Sequence, residues 1–292
     1  KERLWHVAIT FDRAVSGPLS LGDGRFIGLG VMAPAAASGQ DADAEARRTA
    51  EEDGIFTLRV VHCSSRLPAP PNEPVALARA LRRAVMARAR DAAGLTAHQA
   101  LSTFFSGHAP DSDAPDARPS RHLAFHWDGP RQRWLVVAPH RLERRASWRW
   151  ERDHLRLLER ALAGMTELTA GAAGRHAVQV TRLPATDPLV QTSAAWVSVT
   201  PYEATRHRRL GSAAAALIAD VQGECRRCGL PAPRVTILEA KAVRGRGLQG
   251  MLQLEFPSPV RGPLALGRSS LLGGGLFQAR ADQNPAGVTS QP

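Results

Sequence analysis

Residues 7–32 and 252–277 agree in nine of 26 ungapped columns, where ordinary residue frequencies would give about two. Phe11, Val15, Gly17, Pro18, Leu19, Leu21, Gly22, Gly28 and Gly30 each recur 245 positions later, and Ile9/Leu254 and Val31/Leu276 add conservative matches. Any fold for this chain has to place that unit twice. The second copy, Met251 to Phe277, begins as an alternating strand with Leu252, Leu254 and Phe256 on one face. Pro257 and Pro259 are expected to end the strand. A Gly-Pro-Leu turn then leads to glycines at 267, 273, 274 and 275.

Glycines so spaced let a backbone take φ > 0 and approach a ligand closely, and a run of free amides suits phosphate. A tight structural hairpin is the competing reading. In the first copy Gly22-Asp23-Gly24 and Gly28-Leu29-Gly30 imitate a dinucleotide fingerprint. That reading fails on context, because the first glycine pair lies ten residues past the strand and no amphipathic helix follows.

The 292 residues, 43% of them hydrophobic, can build one large domain or two ordinary ones. Three cysteines fit a reducing compartment, and no stretch has the length of a membrane span or the layout of a signal peptide. The chain begins at Lys1, with a strand by Leu4, so an upstream part is expected. A net charge of +11 favours polyanionic partners, nucleic acid above all. The basic residues are almost all arginine, lysine occurring only at 1 and 241. GC-rich coding favours arginine, so net charge is the better clue.

Pro34 to Asp53 lacks apolar periodicity and reads as a linker. A strand is expected over Ile55–Val61, then a helix capped by Asn72 with Pro74 in its first turn and Leu77, Leu81 and Val85 on one side. Thr96 and Gln99 resemble a capping box for a second helix through Leu101 and Phe105. Strands at His122–Trp127 and Trp134–Val137, a helix at Trp150–Ala163 and a strand at Ala177–Leu183 complete a β-α(α)-β-β-α-β order. This is ferredoxin-like, the arrangement of RNA-recognition domains. The order restarts with a strand at Trp196–Thr200, a helix at Ser212–Cys228 and strands at Arg234–Val243 and Met251–Phe256. The Gly-rich loop then stands where a second helix would, before a last strand at Gly275–Arg280. The expected fold is therefore α+β: tandem ferredoxin-like (RRM-like) units with a C-terminal Gly-rich loop. The expected divisions are 1–50 (strand, first Gly-rich copy and linker), 51–190 and 191–292.

Tandem units of this kind ending in a Gly-rich loop, on a basic chain, resemble the RAMP superfamily of CRISPR-associated RNA-binding proteins. Phe105-Ser106-Gly107-His108, Arg121-His122-Leu123-Ala124-Phe125, Trp196-Val197-Ser198-Val199-Thr200-Pro201, Cys228-Gly229-Leu230-Pro231 and Phe256 through Phe277 look like one family within it. That family is the fused subunit of type I-G (formerly I-U) CRISPR effectors, which joins a backbone-capping half to an RNA-processing endoribonuclease half. The resemblance covers about residues 55–278, the processing half. Two departures stand out: Arg268-Ser269-Ser270 lacks the Gly-Arg of Gly24-Arg25, and a second Gly-rich copy precedes the processing half. The resemblance implies a prokaryotic, cytoplasmic protein with no membrane association. CRISPR repeat RNA, its processed guide and other effector subunits would be its partners.

It also implies cleavage of repeat RNA without a metal or other cofactor, by attack of a 2′-OH on the adjacent phosphate. Such a reaction needs a base, an acid and cations, roles open to histidine and arginine. His108, after a helix and a glycine at the start of a loop, is the first catalytic candidate. His122, opening a strand beside Arg121, is the second, with a backbone-bonded strand-end histidine as its competing reading. His98 and His62 have no supporting motif. Arg144, Arg145, Trp148 and Arg149, with Trp150, combine charge with stacking surface as single-stranded RNA binders do. Arg121, Arg206, Arg208, Arg209, Arg261 and Arg268 are further RNA-binding candidates, with Gly267, Gly273, Gly274 and Gly275 of the loop. His108 with Asp111, Asp113 and Asp116 matches no familiar metal spacing. Cys225 and Cys228 lack a second pair and are assigned to the apolar stripe of a helix. A processing endoribonuclease is the leading reading, with a non-catalytic RNA-binding subunit second. A DNA- or nucleotide-binding enzyme of another type is third.

Overall fold

The structure, a computed structural model, describes residues 19–20, 31–32, 54–63, 74–96, 99–108, 122–171, 174–206, 212–243 and 247–280. The chain divides into two compact units, Lys1–Glu45 and Ala46–Pro292. In the first, β1 (Leu19–Ser20) pairs antiparallel with β2 (Val31–Met32), setting Leu19 opposite Met32 and Ser20 opposite Val31. The corresponding residues 245 positions on are Leu264 opposite Phe277 and Ala265 opposite Leu276, which also pair antiparallel. The repeat is thus one of ladder register as well as of sequence. The rest of the first copy lies outside the described residues.

The second unit holds two antiparallel sheets with helices, an α+β fold. Its first half contains β3 (Ile55–Cys63), α1 (Pro74–Ala92), α2 (Thr103–Ser106), β4 (Ala124–Asp128), β5 (Arg133–Val137), α3 (Pro139–Leu142), α4 (Arg149–Leu162), β6 (Glu167–Thr169) and β7 (Arg175–Arg182). These strands lie in the order β4-β5-β3-β7-β6. Alternation along β3 turns Phe56, Leu58 and Val60 to one side, where they join a core with Leu77, Leu81 and Val85 of α1 and Leu155, Leu158 and Leu162 of α4. Arg88 of α1 donates to the carbonyls of Ala161 and Ala163, satisfying the end of α4.

The second half contains β8 (Thr192–Ser198), β9 (Tyr202–Glu203), α5 (Ala213–Arg227), β10 (Arg234–Val243), β11 (Gly247–Arg261), β12 (Leu264–Ala265) and β13 (Leu276–Ala279). Its order is β10-β11-β8-β13-β12, with β9 added beside β11. Both sheets therefore set a post-helix strand, its hairpin partner, the opening strand and the closing strand side by side. Among the described residues a single helix, α5, serves the second sheet. Where α4 would stand, residues 266–275 leave the sheet and meet the first half. The amide of Phe125 donates to the carbonyl of Leu271, and Phe125 and Leu272 form a parallel bridge. Ile55, Ala124, Leu135 and Val137 share a second core with Leu183, Leu189, Val190 and Leu276.

Several elements differ from expectation. β11 runs on through Pro257 and Pro259, which fall where its pairing with β8 lapses between Glu255 and Val260, so the missing N–H groups interrupt no rung. The amide of Thr96 donates to Gln99 Oε1 at 2.8 Å, yet the helix that follows is only Thr103–Ser106, capped by Ser102 instead. Cys225 is buried, and burial pushes its thiol up to about 12. Cys228 ends α5 and is exposed, which removes it from the apolar stripe.

Candidate active site and nucleic-acid interface

The two catalytic candidates lie beside one glycine, His108 following Gly107 in the chain and the His122 ring lying over it. In α2, Ser102 Oγ accepts from the Phe104 amide at 3.2 Å, while Phe104 and Phe105 are buried. Gly107 ends the helix in the left-handed region at φ +71°, its amide donating to the carbonyl of Thr103 at 2.8 Å. His108 follows, half-buried, its amide donating to Ser106 Oγ at 3.2 Å. The amide of Leu123 donates to the carbonyl of Phe104 at 2.9 Å, which draws the approach to β4 alongside α2. His122 consequently lays its ring over Gly107, where an added Cβ would stand 3.0 Å from Cδ2 and 3.2 Å from Nε2. Any side chain at 107 would push the imidazole away.

His122 Nδ1 lies 2.8 Å from the carbonyl of Leu123. A carbonyl only accepts, so Nδ1 carries the proton and Nε2 of the neutral ring holds the lone pair a base needs. The backbone-bonded reading of His122 and the catalytic one are therefore compatible. Arg82 of α1 donates to the carbonyl of Ser106, bringing a guanidinium to the turn that carries His108. Burial, and after it the charge of Arg79, lowers its pKa. Sequence reasoning missed Arg82 because arginines occupy several faces of α1, and only the packing of α2 singles one out.

The same short helix leads to the tryptophans. Phe104 meets Trp150 edge-on at 6.1 Å and His154 at 5.3 Å, and Trp148 and Trp150 lie 5.9 Å apart. Trp148 and Trp150 are 42% and 37% exposed, whereas Trp127, Trp134 and Trp196 are buried. The i, i+4 spacing of Trp150 and His154 was the available signal for His154, another residue the sequence reading passed over.

Other candidates move to structural roles. Arg145 is held by buried Glu151 through two 2.7 Å bonds and by Glu143, and lies 3.5 Å over the Trp148 ring. Despite burial, those carboxylates raise its pKa. Arg144 donates to the carbonyls of Leu142 and Arg261, 3.1 Å each, tying α3 to the end of β11. Both side chains thus bond within the protein. Arg149, Arg206, Arg261 and Arg268 are exposed. Arg206 closes a loop fixed by buried Asp220, which accepts from Tyr202 Oη at 2.6 Å and the Thr205 amide at 2.7 Å. Arg121, Arg208 and Arg209 lie outside the described residues, as do His98, Asp111, Asp113, Asp116 and the side chain of His62.

The loop glycines pack closely against protein backbone. Gly267, Gly273, Gly274 and Gly275 are buried. A Cβ on Gly267 would stand 2.6 Å from the carbonyl oxygen of Glu203, and one on Gly273 2.6 Å from that of Pro74. The amides of Gly274 and Gly275 donate to the carbonyls of Ser269 and Pro201. These glycines let the loop approach protein backbone closely, and the two bonded amides are not presented to a phosphate. A cavity of about 470 Å³ between the end of α4 and β7, lined by Phe56, Leu162, Met165, Val178 and Val180 among others, contains no histidine.

No family model matches this chain, and no curated protein is similar to it. Among solved structures, a chain described as Csf5, CRISPR-Cas type IV Cas6 crRNA endonuclease, is similar over 78% of this chain and 99% of its own. The identity is 13% and the TM-score 0.30, too loose a superposition to place any residue of the site. No helix among the described residues is long and apolar enough to cross a membrane.

Proposed function

We propose that this chain is a metal-independent endoribonuclease that processes CRISPR precursor RNA, built from two ferredoxin-like units over about 51–190 and 191–292. One observation carries the reading: the His122 ring lies over Gly107, the residue before His108, and Arg82 donates to the carbonyl of Ser106 in the same turn. His122 Nε2 takes the proton of a 2′-OH, whose oxygen attacks the adjacent phosphorus. His108 gives a proton to the departing 5′-oxygen. The products are a cyclic phosphate and a 5′-hydroxyl, with Arg82 countering the charge that builds on the phosphorane. Type I-G effectors, their other subunits as partners and a prokaryotic cytoplasm belong to this proposal through the sequence resemblance.

A non-catalytic RNA-binding subunit is the second reading, favoured by the exposed tryptophans, which need no chemistry. Incubating the protein with end-labelled repeat RNA, with and without EDTA, separates the two. Cleavage is expected in both, and substrate carrying one 2′-deoxy sugar at the cut should resist. His122→Ala and His108→Ala should bind RNA yet cleave it ~10²–10⁴-fold more slowly. Cleavage of the deoxy substrate defeats the 2′-OH mechanism, and intact RNA with the parent protein favours the passive subunit.

A further inference from the structure

Resting on the RNA reading above, we propose that Trp148, Trp150 and His154 form a stacking shelf for unpaired bases of the strand that enters the histidine site. The shelf would make a single-stranded flank, not duplex stem, the segment recognised beside the cut. Three observations carry this. The first is rigidity with exposure. Arg145 covers one face of Trp148 at 3.5 Å and is itself clamped by Glu151, while Trp150 is braced edge-on by Phe104 and by His154 at 5.7 Å. His154 is fixed in turn, its Nδ1 donating to the carbonyl of Trp150 at 2.7 Å. Yet the two indoles remain 42% and 37% exposed. Aromatic surface already ordered loses little entropy on binding a flat partner.

The second observation is spacing. The Trp148 and Trp150 rings are 5.9 Å apart and tilted by 33°. A base sandwiched between them would need about 7 Å, twice the ~3.4 Å stacking distance. No base therefore fits between the rings, and stacking is left to the ring surface that Arg145 and the neighbouring rings leave exposed, for which only unpaired bases present a free face. The third is placement. Phe104, which braces Trp150, belongs to the four-residue helix that ends at Gly107, so shelf and histidines share one support. Charge selects nucleic acid as the occupant over an apolar protein face. Exposed Arg149 and Arg152 flank the tryptophans on α4, in a chain of net charge +11.

The test is binding of a six-nucleotide RNA, single-stranded or as a blunt duplex, followed by anisotropy and by quenching of tryptophan fluorescence. The parent should prefer the single strand and be quenched by it. Trp148→Ala and Trp150→Ala should each weaken single-strand binding roughly tenfold or more, leave duplex binding unchanged, and be largely rescued by phenylalanine. Ultraviolet cross-linking of the parent to bromouridine-substituted single strand needs no variant and should label the peptide containing residues 148–154. Equal binding of single strand and duplex, variants that bind like the parent, or cross-links confined to other peptides would each overturn the shelf while leaving RNA binding intact. A parent that binds neither RNA overturns the RNA reading, and the shelf with it.

Discussion

The two sheets of the larger unit share a strand order but not a cover. β4-β5-β3-β7 is roofed by α1 and α4, whose leucines close a core with Phe56 and Leu58. β10-β11-β8-β13 has, among the described residues, α5 alone, with its core around Trp196, Leu217, Val221, Leu252 and Leu254. The segment standing in for a second helix is the Gly-rich loop, which holds to its own half through Glu203 and Pro201 and reaches the neighbouring sheet through Phe125. Where the first half has a roofing helix, the second thus has a bond between sheets. The sheet that keeps both helices also carries the histidines and the exposed tryptophans.

The strongest break in that bond lies at Arg133 of β5. It donates to Asp128 at 2.8 Å and, with two N–H groups, to Asp187 at 2.6 and 3.0 Å, all three residues being buried. Burial works against its charge, but the bonds to Asp187 and the nearby Asp128 prevail and raise its pKa. Asp187 lies in the connection between the sheets and also accepts from the Leu189 amide. Arg133→Met leaves buried Asp187 without its cation and Asp128 with only the longer 3.3 Å contact to Arg131, and is expected to cost about 3–5 kcal/mol in denaturant melts. A loss below 1 kcal/mol would show that the connection is held by its leucines.

Gly275→Val comes next. At φ +60° a Cβ would collide with the carbonyl of Leu266, so strain and overpacking together should cost roughly 2–4 kcal/mol. Gly107→Ala is the counterpart in the helix-rich half. It should cost only about 1–2 kcal/mol in stability, yet slow cleavage disproportionately by displacing His122. Equal activity losses per unit of lost stability at both glycines would erase the distinction between a structural and a functional position.

Acid should loosen the same bond. His126 of β4 is fully buried, and burial lowers its pKa to about 4 although the backbone of Ser270, in the loop, partly offsets this. His140 is also lowered to about 4, chiefly by burial. An unfolded histidine binds its proton near pH 6.5, so between about 6.5 and 4 the unfolded state holds more protons. The stabilisation is complete above that window and declines as pH falls through it, by up to roughly 3 kcal/mol per histidine. His126→Leu should flatten the decline in melts taken from pH 7 to 4.5, and an unchanged slope would assign it elsewhere.

Much of this architecture was legible because alternation and helical periodicity report burial directly. Leu77, Leu81 and Val85 announced α1, and Ile55–Val61 announced β3. The repeat at 245 was legible as sequence, and the structure adds that the two copies share a ladder register. What escaped depended on contacts between distant segments. Nothing local tells that Arg144 will meet the carbonyl of Arg261, or that Gly273 faces Pro74. His108 and His122 were each visible, but their common support at Gly107 arises only when Leu123 bonds to Phe104.

The smallest stability effect belongs to α4, the helix the second sheet lacks. Arg149, Arg152, Arg156 and Arg160 recur on its exposed surface. Arg156 pairs with Asp153 at 3.1 Å, with both side chains mostly in solvent. A pair so exposed contributes little to folding, and Arg156→Ala should shift stability by under about 0.5 kcal/mol. Its value would lie in phosphate contact. Each cation lost from a single-stranded RNA interface lowers the slope of log affinity against log salt by ~0.7. Measured on repeat RNA, Arg156→Ala should therefore reduce that slope by about this amount with melting unchanged. The matching change in the helix of the second sheet, Arg226→Ala on α5, should leave the slope alone. If both substitutions lower the slope equally, RNA follows both sheets, and the division of labour between them disappears.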